Sequence, residues 1–168
     1  MSSVHNAFPN KDLYFTEVSG GEWATNFSDN LMWNTSNIFI GAAKNWSKSS
    51  IMWNLALDEN HGPTNNGCNN CRGVVTINSV SGAITNNVEY YAIAHFSKFV
   101  KQGAYRISST STISPSQLDQ VAFKNPDGSI VLIAMNPENS SKTIIVGIND
   151  KQLTYTLPPL SVISFLTQ

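Results

Sequence analysis

The chain has 168 residues, of which 41% are hydrophobic and only 12% are charged, so it can bury a core and is not a charge-rich disordered segment. Ten Lys and Arg against eleven Asp and Glu give a net charge of −1, which leaves no basic excess for nucleic acid or an anionic membrane surface. No apolar run reaches the ~20 residues that span a bilayer, and the first residues do not have the pattern of a signal peptide. We therefore expect no nucleic-acid partner and no membrane span.

Residues 1–103 predict strands that alternate with helices. The pattern indicates a strand over Asp12–Val18, an imperfect amphipathic helix over Ser28–Trp46 with Ser28 as candidate N-cap, and a buried strand over Ser50–Leu57. The clearest helix covers Val88–Val100, and we expect Glu89 in its first turn to face solvent. This order corresponds to two β/α units, which cannot close a domain alone.

Residues 104–168 predict a β-sandwich, because six short strand candidates follow each other with turn residues between them. The strand candidates are Tyr105–Ile113, Leu118–Lys124, Ile130–Asn136, Lys142–Ile148, Gln152–Leu157 and Ser161–Leu166. The expected fold is thus α+β, with a β/α part over 1–103 and an all-β part over 104–168.

Glu17 is the first candidate catalytic residue, since it ends a predicted strand and precedes Gly20-Gly21. Catalytic groups in β/α architectures lie at the C-terminal ends of strands. The alternative is an ordinary solvated or capping carboxylate. Asp58 and Glu59 end the next predicted strand, where binding of backbone amides is equally expected.

Aromatic residues give weaker signals. Trp53 lies in the second predicted strand, where packing in a core is the alternative to ligand contact. For Trp23 and Trp46 we expect packing in a loop or against a helix.

Cys68 and Cys71 lie in an Asn- and Gly-rich loop, three residues apart. A zinc site needs four ligands, and the three histidines are scattered, so we expect no metal. A redox pair would open a helix after a strand. We expect a local disulfide that braces the loop, or two free thiols.

Several ordered segments together resemble glycoside hydrolase family 30, the family of glucosylceramidase and the β-1,6-glucanases. The resemblance spans almost the whole chain, and it rests on five segments: Tyr14–Glu17, Trp53–Pro63, His95–Val100, Leu118–Ala122 and Asn125–Ser129. It implies an eightfold β/α barrel followed by a β-sandwich, of which this chain would hold barrel strands seven and eight and most of the sandwich.

The resemblance also implies a retaining mechanism with two carboxylates and no cofactor. Glu17 matches the nucleophile at the end of the seventh barrel strand, and Trp53 matches an aromatic residue that lines the sugar pocket. The family's acid/base is a Glu at the end of the fourth strand, and no residue of this chain matches that strand. The implied partner is therefore the N-terminal part of the barrel, in the same parent protein or in a second chain.

The expected function is that of the C-terminal part of a retaining β-glycosidase that cleaves a glucosylceramide-, β-glucan- or β-glucoside-type substrate. The alternative is a catalytically silent carbohydrate-binding or structural β-sandwich fragment that needs a partner chain. The low charge and the abundance of Asn and Ser favour a secreted or periplasmic location.

Overall fold

A computed structural model describes residues 1–148 and 150–167 of the chain. The chain divides into two compact units, Met1–Ala94 and His95–Gln168. Within the described residues, no helix has both the length and the apolar character needed to cross a bilayer.

The first unit contains a nearly continuous helical run between two parallel strands. Its helices are α1 (Ser2–Ala7), α2 (Phe27–Trp33), a π-helical stretch (Asn34–Ile40), α3 (Gly41–Lys44) and the first part of α4 (Val88–Ser97). The predicted helix over 28–46 is confirmed, but the predicted cap is wrong. Asn26 caps α2, because its side-chain oxygen accepts the Asp29 N–H at 3.0 Å.

Two strands flank that helical run, β1 (Leu13–Phe15) and β3 (Ser47–Ser50), and they pair in parallel. The remaining strands of this unit form two small sheets. They are β2 (Gly20–Gly21) with β5 (Cys71–Arg72), and β4 (Ala56–Leu57) with β6 (Val75–Ile77) and β7 (Ile84–Asn86). The predicted strand over 50–57 is therefore wrong as one element, since it divides into the end of β3, an irregular stretch and β4.

The second unit is a two-layer β structure. One layer is a four-stranded antiparallel sheet of β8 (Tyr105–Ile107), β9 (Asp119–Lys124), β10 (Ile130–Asn136) and β13 (Ser161–Leu166), in the order β13-β10-β9-β8. The other layer is the hairpin of β11 (Lys142–Ile148) and β12 (Lys151–Leu157).

Apolar residues of the two layers form one core. Alternate residues of β11 are buried, as expected for a strand with one face on a core. The cluster joins side chains from the sheet and from the hairpin: Leu118, Ala122, Leu132, Ile144, Val146 and Leu157. The β-sandwich predicted for this half of the chain is confirmed.

Candidate active site

Glu17 lies two residues after β1 and its side chain is exposed to solvent. The parallel contact between the two chain segments continues past the ends of their strands. Ile51 N–H donates to the Phe15 carbonyl at 3.0 Å, and Trp53 N–H donates to the Val18 carbonyl at 2.7 Å. Glu17 is therefore held on a segment that hydrogen bonds anchor on both sides.

Trp53 lies at the same end of the neighbouring segment. It forms an isolated parallel bridge with Ser19, and 54% of its surface is exposed. The Trp53–Asn54 peptide bond is cis. The fold thus brings the backbone of Glu17 and of Trp53 to the same end of two parallel segments, although 36 positions separate these residues along the chain.

The segment after Glu17 is fixed by a buried ion pair that the sequence analysis missed. Glu89 is only 1% exposed, so the expectation that it faces solvent is wrong. Arg72 donates to both Glu89 carboxylate oxygens, at 2.7 Å from Nη2 and 3.2 Å from Nε. Arg72 also pairs with Gly20 in the β2–β5 ladder and donates to the Ala24 carbonyl at 3.3 Å.

The two glycines of β2 are required by this packing. A Cβ atom on Gly20 would overlap the Glu89 carboxylate, and one on Gly21 would overlap the Trp23 ring. Gly20-Gly21 therefore lets the backbone three residues beyond Glu17 approach a buried charge directly. The pair of glycines was the available sequence signal, but Arg72 and Glu89 lie far along the chain and gave none.

The loop after β4 uses its carboxylates for structure. Asp58 accepts the backbone N–H groups of Asn60 at 2.8 Å and Gly62 at 2.7 Å. Glu59 accepts the Ser79 N–H and hydroxyl, and these hydrogen bonds lower the pKa of its carboxyl group. The alternative that both residues satisfy backbone amides is confirmed.

Cys68 and Cys71 form a disulfide. Cys71 lies in β5 opposite Gly21, and its carbonyl is 2.9 Å from His61 Nδ1. Within the described residues, no group of three or more His, Cys, Asp or Glu side chains could hold a metal ion. The disulfide loop therefore packs beside the segment that follows Glu17.

The chain is similar to known glycoside hydrolases. Residues 103–165 match the family model of the glycosyl hydrolase family 30 beta sandwich domain. An endo-1,6-β-D-glucanase from Trichoderma harzianum is 34% identical over 142 residues, which cover 81% of this chain and 27% of that protein. The lysosomal acid glucosylceramidase of Mus musculus is 27% identical over 168 residues, covering 92% of this chain and 30% of that protein.

Solved structures agree with these relatives. An endo-β1,6-glucanase superposes with a TM-score of 0.91 at 38% identity, over 98% of this chain and 37% of that one. The chain thus spans 27% of the Trichoderma harzianum glucanase and 37% of the glucanase of known structure. The resemblance to the C-terminal portion of glycoside hydrolase family 30 proteins is confirmed.

Proposed function

We propose that this chain supplies the nucleophile side of the active site of a retaining β-glycosidase. In this proposal residues 1–103 are the last two β/α units of an eightfold barrel, and residues 104–168 are the sandwich. Glu17 is the nucleophile, and its position at the exposed end of a parallel strand pair is the observation that carries the proposal. The family resemblance supports the same assignment.

The proposed reaction has two steps, formation of a glycosyl-enzyme and its hydrolysis. A Glu17 carboxylate oxygen forms a bond to the anomeric carbon while the glycosidic C–O bond breaks, and the leaving oxygen takes a proton from a second carboxylic acid. Water then attacks the anomeric carbon of the glycosyl-enzyme, the bond from that carbon to the Glu17 oxygen breaks, and the second carboxylate takes a proton from the water. The two carboxyl groups of a retaining enzyme are roughly 5–5.5 Å apart.

The second carboxyl group comes from the N-terminal part of the barrel. Two other carboxylates of the first unit, Glu89 and Asp58, are already bound to Arg72 and to backbone amides. The partner of this chain is thus a barrel part with the acid/base Glu, in the same parent protein or in another chain.

Trp53 forms one wall of the sugar pocket. More than half of its surface is exposed, at the same strand end as Glu17. An indole face is large, rigid and apolar, and it suits the C–H face of a pyranose ring.

The substrate class is a β-linked glucan or glucoside. Curated relatives at 32–35% identity are endo-1,6-β-D-glucanases, whereas the glucosylceramidases are 26–29% identical. We therefore favour β-1,6-glucan over glucosylceramide. The disulfide and the fungal glucanase relatives favour a secreted or periplasmic location.

Complementation tests this proposal. The purified chain is mixed with a polypeptide that carries the first six β/α units of a family 30 endo-1,6-β-D-glucanase, and release of an aryl aglycone from a β-glucoside is measured. We expect the chain alone to be slower by about 10²–10⁴-fold, because it lacks the general acid. Glu17→Gln should reduce the mixture to background, whereas Glu22→Gln, an exposed carboxylate five positions later, should not.

A further inference from the structure

A cavity of the first unit is lined by residues that begin two positions beyond Glu17, and it has no role in the reaction above. It has a volume of about 580 Å³, within the range of roughly 300–1,000 Å³ found for ligand sites. Residues that line it include Ser19, Trp23, Asn26, Asp29 and Trp33. We propose that this cavity binds a further sugar ring of a β-glucan chain, with the ring stacked on Trp23; the proposal rests on the proposed function.

The Trp23 ring is held on one side by the main chain and is exposed on the other. Its ring lies so close to the backbone of Gly21 that a Cβ atom there would overlap it, yet 57% of Trp23 is exposed. One part of the ring is thus held by the main chain and the rest faces outward, which differs from the packing expected from the sequence. A ring that is already immobilised loses little rotamer entropy when a ligand binds.

A second indole and a polar helix face complete the lining. Trp33 is 50% exposed, and it lies on helix α2 together with Asp29 and Asn30. Asn30 and Asn34 are fixed, because Asn34 Nδ2 donates to Asn30 Oδ1 at 2.9 Å and Asn30 Nδ2 donates to the Ala24 carbonyl at 3.1 Å. This wall is therefore rigid before a ligand arrives.

The chemistry of the lining selects a neutral polyol. Among the described residues, the cavity wall has two Trp, several amide or hydroxyl side chains and one carboxylate, but no Lys or Arg. Such a wall offers acceptors and donors to sugar hydroxyl groups and an apolar face to C–H groups. An anionic ligand would meet the Asp29 carboxylate without a compensating cation.

The position of the cavity sets the length of the ligand. Ser19 and Gly20, which line it, are two and three residues beyond Glu17. A saccharide with one ring at Glu17 and a further ring on Trp23 has at least two linked rings. We therefore expect affinity to rise with chain length, as for a glucan, and not to saturate at a single glucoside.

Calorimetric titration of the chain with linear β-1,6-gluco-oligosaccharides tests the proposal. We expect longer oligosaccharides to bind more tightly than the disaccharide, and Trp23→Ala to raise Kd for the longer ones about tenfold. Trp33→Ala is the second variant, and it should also weaken binding. The matched control is Trp46→Ala, because Trp46 is 45% exposed but stacks on His5 and does not line the cavity.

Three results would overturn the proposal: no binding by the wild-type chain, unchanged affinity in both Trp23→Ala and Trp33→Ala, or an equal loss in Trp46→Ala. Circular dichroism of each variant establishes that it is folded. The complementation assay with a simple aryl glucoside does not depend on Trp23. Failure of the sugar site and failure of the proposed function are therefore distinguishable.

Discussion

Glu89 carries a charge inside the first unit, where an isolated carboxylate would be strongly unfavourable. Burying an ion costs several kcal/mol in lost hydration, and this cost is comparable to the Coulomb attraction between the ion and its partner. A buried charge therefore also needs good hydrogen bonds. Arg72 supplies two of these, and its own side chain is only 14% exposed. The pair connects helix α4 to the segment that follows Glu17.

Glu89→Ala should lower the free energy of unfolding by about 3–5 kcal/mol, because it removes the buried carboxylate that accepts two Arg72 hydrogen bonds. Arg72 would keep only the more distant Glu22 carboxylate, at 3.9 Å. Urea unfolding followed by circular dichroism measures the loss. The control is Asp12→Ala, which breaks an exposed ion pair with Lys48 and should have a much smaller effect. Equal losses in the two variants would show that the buried pair has no special weight.

Glu17 could be predicted as a candidate from its sequence neighbours, whereas the Arg72–Glu89 pair could not be predicted. Strand ends and Gly-Gly pairs are local signals, whereas burial of a first-turn Glu depends on a partner 17 residues away. An acidic residue in the first turn of a helix is usually exposed and interacts favourably with the helix dipole. Tertiary packing overrides that local expectation here.

Strand β10 is an inner strand of the four-stranded sheet. It pairs with β13 on one side and β9 on the other, and nearly every side chain along it is buried. A strand covered on both faces has a continuous apolar sequence, here Ile130–Met135. The Asn and Gly residues of the turn before it mark its start, so its bounds were predictable.

Ile133→Ala should destabilise the chain by about 2–5 kcal/mol, because it removes a fully buried side chain from this central strand and leaves a cavity. The matched control is Ile145→Ala on β11, where the side chain is 69% exposed. Thermal unfolding of both variants measures the difference. A comparable loss at Ile145 would contradict the two-layer arrangement.

The elements of the first unit were harder to predict than those of the second. The bounds of β10, β11 and β13 agree with the predicted strands, because alternating or continuous apolar runs end at turn residues. In the first unit, residues 51–55 separate β3 from β4, and the short strand β7 was not predicted at all. Both depend on pairing with distant segments, which short apolar runs do not encode.

His95 makes the stability of the folded chain depend on pH. Its Nδ1 lies 3.0 Å from the Ser164 hydroxyl, and burial lowers the pKa of its ring below the ordinary value of 6.5. The folded chain thus favours the neutral ring. As the pH falls below 6.5, the unfolded chain binds a proton first, and the free energy of unfolding decreases until the folded pKa is passed.

We expect His95→Asn to reduce the difference in unfolding free energy between about pH 7.5 and about pH 5.5. The control is Ile145→Ala, which replaces an exposed side chain without an ionisable group and should leave the difference close to that of the wild-type chain. Urea titrations at the two pH values give both numbers. An unchanged pH dependence in His95→Asn would mean that another group is responsible.

The chain spans only part of the length of the relatives that it matches. Its relatives are about three times longer, and the proposed acid/base lies in the part that this chain does not match. In the proposed function, Glu17 and Trp53 supply one side of a sugar pocket. The buried Arg72–Glu89 pair anchors the segment that follows Glu17. In the proposed reaction, Glu17 forms the covalent bond to the sugar.

Covalent trapping tests whether Glu17 is the nucleophile. The chain, complemented with the barrel part of a family 30 endo-1,6-β-D-glucanase, is incubated with a deoxyfluoro-β-glucoside that has a dinitrophenolate leaving group, and the labelled peptide is identified by mass spectrometry. We predict one sugar on the peptide that contains Glu17, and none in Glu17→Gln. A sugar on another carboxylate, or an unchanged label in Glu17→Gln, would contradict the assignment of Glu17 as the nucleophile.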